Sequence, residues 1–307
     1  MRVAVTGANG RLGRALIAAL EEAPFTGPMG PIAWTRREVD LDTVDEPAIQ
    51  RLLVRDRPEV VIHAAAWTDV DGCAREPALA MRRNGDATGA IARACAARGV
   101  ELVAVSTNEV FDGTRTDGHG YAPHEERSPA NPYGASKADG ERQAWAACAT
   151  LDARLAIVRT SWLHGPPGND FPEKLARAAL RTRDAGEPLR VVGDEIGTPT
   201  WTRDVADAIV ELLAEDAITE LPTRQSIHHL VNGGRASRAD WAREVLRATG
   251  IDVVVEEVPA STWQRASTPP RWAVLEPTPL PSGEPMRHWR DAFADAVPAL
   301  RRALARG

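Results

Sequence analysis

Lysine is nearly missing from this chain. Of its 37 basic residues only Lys137 and Lys174 are lysines, and the 307 residues hold 2 tyrosines and 3 cysteines. Cys73, Cys95 and Cys148 are too few and too far apart for a disulfide framework, and none has metal-ligand spacing. Buried thiols in a reducing cytoplasm are expected, with no metal site. No apolar run approaches the length of a membrane span. The first strand signal begins at once, at residues 2–6, which leaves no room for a signal peptide, so a cytoplasmic protein without membrane association is expected. The formal charge of -6 and the scattering of arginines among acids argue against a nucleic-acid partner. Repeats and low-complexity tracts are also lacking.

What is present is alternation. Residues 2–6 are an apolar run, Gly7 to Gly13 a glycine-rich turn, and Arg14 to Glu22 has helical periodicity. Strands follow at Pro31–Thr35, Glu59–Ala66, Val100–Thr107 and Leu155–Ser161. Helices are expected at Glu46–Arg55, Asn84–Arg98 and Tyr133–Ala149. The third strand is wholly apolar, as in a buried parallel sheet. The pattern predicts an α/β fold with a doubly wound, Rossmann-like parallel sheet and a smaller C-terminal substrate lobe. Residues 1–165 form the expected dinucleotide-binding domain, to which 200–232 return, and 166–199 with 233–307 form the lobe. Residues 259–285 read as a long irregular loop, of a length that suggests a cover for a substrate.

Gly7, Gly10 and Gly13 are spaced G-x-x-G-x-x-G between a strand and a helix, with Asn9, Arg11 and Leu12 on the same turn. A turn in this context brings backbone N–H groups and a helix N-terminus to a pyrophosphate. The end of the second strand carries Arg36 and Arg37 in place of an acid, which favours NADP(H) and leaves NAD(H) open, since two arginines also suit an exposed surface. Asp42 could accept from an adenine amino group or cap the next helix.

Tyr133 and Lys137 stand at i and i+4 where a helix begins, so they share a face. An exposed surface pair would look the same. Upstream, the fourth strand ends at Thr107, at the sheet edge where ligands gather. A hydroxyl, a phenol and an ammonium would then converge on a carbonyl, the ammonium lowering the phenol's pKa and holding the nicotinamide ribose.

With these residues in view the chain resembles the extended short-chain dehydrogenase/reductases, and among them the dTDP-4-dehydrorhamnose reductase group. The carriers are the glycine turn, Ala64-Ala65-Ala66-Trp67-Thr68-Asp69-Val70-Asp71, Ser106-Thr107-Asn108-Glu109-Val110-Phe111-Asp112-Gly113, the Tyr133–Lys137 segment, Arg159-Thr160-Ser161-Trp162 and Gly197-Thr198-Pro199-Thr200. The resemblance implies Thr107, Tyr133 and Lys137 as the catalytic set. It implies Ala64, Ala65 and Ala66 beside the cofactor, and Val70 and Trp162 against a nucleotide-sugar. It also implies NADPH-dependent reduction of the C4 ketone of a 6-deoxy-4-ketohexose, as in dTDP-rhamnose formation, and it leaves room for a homodimer. Glu109 stands where the group usually has a substrate-contacting tyrosine, after Asn108 in place of aspartate. Trp272-Ala273 likewise departs from the usual C-terminal pattern. Two other readings stay open: a nucleotide-sugar epimerase or dehydratase without net redox, although the Asp-Glu pair that dehydratases need after Thr107 is incomplete, and a non-catalytic NAD(P)-binding regulatory subunit.

His63 reads as a satisfied core histidine, and His228 with His229 as a poor metal pair, because neighbours on a strand face opposite ways. The segment from Asp112 to Asn131 is expected to flank the substrate and to be mobile without ligand.

Overall fold

The structure, a computed structural model, describes residues 1–214 and 224–306. In its first half β1 (Val3–Thr6), α1 (Arg11–Glu22), β2 (Ile32–Trp34), α2 (Glu46–Asp56) and β3 (Val60–His63) lead to α3 (Val70–Arg75) and the short α4 (Pro77–Ala80). A π-helical turn at Met81–Asp86 continues into α5 (Ala87–Ala96), followed by β4 (Glu101–Thr107), α6 (Pro132–Thr150) and β5 (Leu155–Thr160). The second half contains β6 (Leu163–His164), α7 (Phe171–Ala185), β7 (Leu189–Val192), β8 (Ile196–Gly197), β9 (Thr200–Trp201), α8 (Thr202–Ala214), β10 (Gln225–His229), β11 (Ala236–Ser237), α9 (Arg238–Thr249), β12 (Val255–Val258) and α10 (Trp289–Leu304).

Six strands form one parallel sheet in the order β10-β5-β4-β3-β1-β2. The chain runs outward from β1 in both directions, so the crevice between the carboxyl ends of β1 and β3 is the topological switch point. That crevice holds Gly7 and Ala64–Ala66. Val3, Val5, Ile62 and Val158 pack with Leu16 of α1 and Ile209 of α8 on one face. Ala4, Val61, Leu102 and Ile157 pack with residues of α2, α5 and α6 on the other. The sheet buries both faces, as the apolar run at β3 implies. A separate cluster joins α7, α9 and α10 around Trp241, Trp289 and Phe293. Within the 200–232 segment, α8 packs on α1 and β10 extends the main sheet beside β5, while 215–223 lie outside the described residues.

Local signals set the helix starts. The side chains of Asp45, Asn131, Asp170 and Ser237 accept from backbone N–H groups at the starts of α2, α6, α7 and α9. Asp42 caps nothing, and the capping role considered for it belongs to Asp45. At α1 the N-cap is Gly10, with no side-chain cap.

Candidate active site

Gly7 adopts φ +66, a conformation that L side chains rarely tolerate, and a Cβ there would lie 2.8 Å from the Ala65 Cα. At Gly13 a Cβ would fall 2.1 Å from the Gly7 carbonyl oxygen. The turn is therefore folded tightly against the end of β3, and the uncapped first N–H groups of α1 point out of it. Cavities open on both sides. One, of about 310 Å³, is lined by Gly7, Asn9, Gly10, Arg36, Asp42, Ala64–Ala66, Trp67 and Arg83. The other, of about 430 Å³, is lined by Gly10–Gly13, Ala64, Ala66, Thr68, Val70, Thr107, Glu109, Tyr133, Lys137, Trp162 and Arg238. They share Gly10, Ala64 and Ala66, so together they form a cleft running across the switch point.

In the first cavity Asp42 is occupied. Arg83 reaches it at 2.6 and 2.9 Å and holds its carboxyl below the usual range, and Arg36 approaches it at 3.3 Å. The Arg83 guanidinium also lies 4.8 Å from the centroid of Trp67. Arg36 is 76% exposed and held only by long pairs to Asp40 and Asp42, so its guanidinium can turn onto an anion. Arg37 is not on the wall of this cavity. The adjacent-arginine signal thus separates into one lining residue and one surface residue. Arg11 faces the second cavity, but its guanidinium binds the Gly165 and Gly168 carbonyls and Asp170, tying the glycine turn to the start of α7.

The second cavity brings Thr107, Tyr133 and Lys137 onto one wall. Gly134 permits this, because a Cβ there would meet the Glu109 carbonyl oxygen at 2.0 Å, so α6 can begin directly against the turn that follows β4. Lys137 is buried and donates through Nζ to the Val105 carbonyl at 2.7 Å. Burial brings its ammonium down to about 8, against a smaller upward pull from Glu141 one turn along α6. The phenol of Tyr133 departs from the sequence expectation. Burial pushes it above its ordinary value and the Glu109 carboxyl pushes it further, while a hydrogen bond with Thr107 opposes them.

The signs give a pH prediction. The raised phenol stays protonated through neutral and mildly alkaline pH, whereas Lys137 loses its proton as pH rises through about 8. The kcat/KM for the reduced cofactor, which reports the free enzyme, should be level below that pH and fall above it. A profile level to pH 10 would contradict the assignment.

On the lobe side, Trp162 holds φ +43 and its ring covers Gly197, where a Cβ would lie 2.5 Å away. The guanidinium of Arg238 sits 3.5 Å from the centroid of Trp162, and the ring of Trp241 stacks on it at 5.8 Å. Arg238 is brought down to about 10 by burial and pairs with Glu195 at 3.6 Å. Part of the 259–285 segment is tied beside the cavity. Ser267 binds Asp71 through its N–H and hydroxyl, both at 2.9 Å, and the Asn131 amide donates to the Thr268 carbonyl at 3.2 Å. Trp272 donates its backbone N–H to the Gly113 carbonyl at 3.0 Å and its ring N–H to the His119 carbonyl at 2.7 Å, bracing the loop after β4, while the Ala273 N–H donates to Ile196 of β8. That loop is itself held by stacked Phe111 and Tyr121.

Sequence reasoning missed Trp67, Arg83, Arg238 and Asn131. Asn131 left a signal, the Asn-Pro start of α6; Arg83 and Arg238 are two arginines among many. His63 is a buried core histidine bonded to Thr6 and Thr88, and burial holds it neutral at about 3. Among the described residues no cluster of His, Cys, Asp and Glu could hold a metal, and no helix is long and apolar enough to cross a membrane.

Known proteins resemble this chain along nearly its whole length. A model of the RmlD substrate binding domain matches residues 1–302. The chain is 35% identical to a dTDP-4-dehydrorhamnose reductase of Streptomyces griseus, over 96% of this chain and 93% of that one. It is 34% identical to a dTDP-4-keto-6-deoxy-D-glucose reductase of Streptomyces niveus, over 96% of each. A crystal structure of dTDP-4-dehydrorhamnose reductase from Bacillus anthracis in complex with NADP superposes with a TM-score of 0.81 at 29% identity, covering 100% of this chain and 99% of that one.

Proposed function

The chain belongs to the RmlD substrate binding domain family, and from that premise we propose that it is an NADPH-dependent reductase of the C4 ketone of a nucleotide-linked 6-deoxy-4-ketohexose. The observation that carries the reading is the convergence of Thr107, Tyr133 and Lys137 on one cavity that continues into the glycine turn. The residues suit a dinucleotide: the turn offers a tight backbone cradle and the uncapped N-terminus of α1 to a pyrophosphate. Asn9 and Gly10–Gly13 line that passage, Ala64–Ala66 close it from β3, and Arg36 and Arg83 are the cations nearest the adenosine end. The relative from Bacillus anthracis is bound to NADP, which supports the same choice here.

When bound, the reduced cofactor supplies a hydride. The chain's own residues do the rest. Thr107 and Tyr133 donate hydrogen bonds to the ketone oxygen, and Tyr133 gives up its proton as that oxygen gains charge. The raised proton affinity of the phenol keeps it loaded for reduction. Lys137, which donates to the Val105 carbonyl, would hold the nicotinamide ribose. Val70, Glu109 and Trp162 enclose the sugar, and the lobe formed by 166–199 and 233–307 receives the nucleotide-sugar. Action in the cytoplasm and assembly as a homodimer belong to the same reading; the three free, buried cysteines suit a reducing compartment, and sedimentation would report the dimer.

The test is a panel of dTDP-4-ketosugars, dTDP-4-keto-6-deoxy-L-mannose first, with NADPH and NADH. Oxidation of the reduced cofactor at the expense of a ketosugar is expected, faster with NADPH. No oxidation with any of them would overturn the reading.

A further inference from the structure

The mechanism above leaves a carboxyl beside Thr107 and Tyr133 without a chemical task. Glu109 follows Thr107 on the turn after β4, and its backbone N–H donates to the Thr107 hydroxyl at 3.2 Å. Its Oε2 accepts from the Asn131 amide at 2.7 Å. Asn131 is itself fixed, accepting from the Gly134 N–H at 2.8 Å and donating to Thr268. The carboxyl is therefore held in orientation by the N-cap of the same helix that carries Tyr133. Among the described residues Oε1 receives no hydrogen bond, and the residue lines the cavity shared with Thr107 and Tyr133.

We propose that Glu109 is a base for the carbon next to the ketone, so that the site also catalyses enolisation and proton exchange of its bound 4-ketosugar; this rests on the reductase reading of the same site. The step balances without any oxidant. The Glu109 carboxylate takes the proton of a C–H bond adjacent to C4, the electron pair of that bond forms a carbon–carbon double bond, and the C4 oxygen becomes an enol oxygen protonated by Tyr133. Reversal returns a proton from Glu109 to the same carbon and one from the enol to Tyr133. While Glu109 holds the proton it exchanges with solvent, because the residue is partly open to the cleft.

Three features make this base suitable. In the reductase reading the oxygen on which charge develops is bound by Thr107 and Tyr133, which line the same cavity, and stabilising the enolate is what makes a proton next to a carbonyl removable. Burial raises the proton affinity of Glu109 above that of an ordinary carboxyl, with Asn131 and Arg238 pulling the other way, which makes its carboxylate a stronger base. Its neighbour in the sequence is Asn108, not a second acid. Exchange without elimination is the chemistry that one carboxyl can perform.

The experiment incubates the whole enzyme with NADP⁺ and dTDP-4-keto-6-deoxy-D-glucose or dTDP-4-keto-6-deoxy-L-mannose in D2O, with no reduced cofactor, and follows deuterium at C3 and C5 by NMR and mass spectrometry. Incorporation well above an enzyme-free control is expected at one of these carbons. Glu109→Gln should reduce it to the control rate, and Glu109→Asp should restore part of it. Cofactor binding by fluorescence certifies that each variant is folded. Exchange at the control rate in the unaltered enzyme overturns the proposal, as does full exchange in a folded Glu109→Gln enzyme. Failure of the reductase reading is separate: it would appear as no NADPH oxidation in the substrate panel, whatever the deuterium result.

Discussion

Replacing Tyr133 with phenylalanine is expected to lower kcat by about 10² to 10⁴-fold, the range that a positioned general acid supplies. That loss corresponds to roughly 3–5 kcal/mol of transition-state stabilisation. The ring should stay where it is, because its packing partners Cys73 and Ala80 contact the apolar part of the side chain. Only the hydroxyl is lost, and with it the proton for the C4 oxygen and the bond to Thr107. NADPH binding should be unchanged, since the glycine turn, Arg36 and Lys137 are untouched. Steady-state kinetics with a turned-over ketosugar, together with cofactor titration, checks both halves. A variant retaining more than a tenth of kcat would show that another group delivers the proton.

The second large effect is on stability. Arg159 and Glu141 are both buried, with side chains 1% and 2% exposed, and the guanidinium contacts both carboxylate oxygens at 2.9 and 2.7 Å. Ser106, beside Thr107, donates to the same carboxylate at 2.5 Å. Arg159→Met leaves this carboxylate buried without its paired guanidinium, facing the partly exposed Arg127 and, one turn along α6, Lys137. The expected cost is about 3–5 kcal/mol, a fall in Tm on the order of 10 °C. Replacing both partners by apolar residues of similar size should recover most of it, because no charge is then left uncompensated. The double variant carries a second signature. Glu141 is the group that raises Lys137, so its removal should move the alkaline fall in kcat/KM to lower pH. Calorimetry and the pH profile read the two effects separately, and a Tm within a degree of the parent for Arg159→Met would contradict the first.

Part of this protein lies in short-range pattern. The glycine spacing between β1 and α1, the apolar runs of β3 and β4, and the i, i+4 placement of Tyr133 and Lys137 depend on neighbours within a few residues. The membership and parallel fold expected from them agree with the family match and the observed sheet. Several details needed more. The expected fall in the phenol's proton affinity is reversed, because burial and Glu109 act on it. Asp42 is neither a helix cap nor free, because Arg83 comes to it from the π-helical turn. Arg37 does not share the cleft wall with Arg36, since adjacent side chains diverge.

The sequence by itself determined the fold class, the place of the glycine turn and the residue types at the ends of β4 and α6, because periodicity, turn chemistry and strand ends are local properties. Only the tertiary structure decided what surrounds those residues. Arg238 over Trp162, Asn131 between Glu109 and Thr268, and Ser267 on Asp71 join segments far apart in the chain. Such contacts, and the burial that sets the proton affinities of Tyr133, Lys137 and Glu109, exist only once these distant segments have packed together.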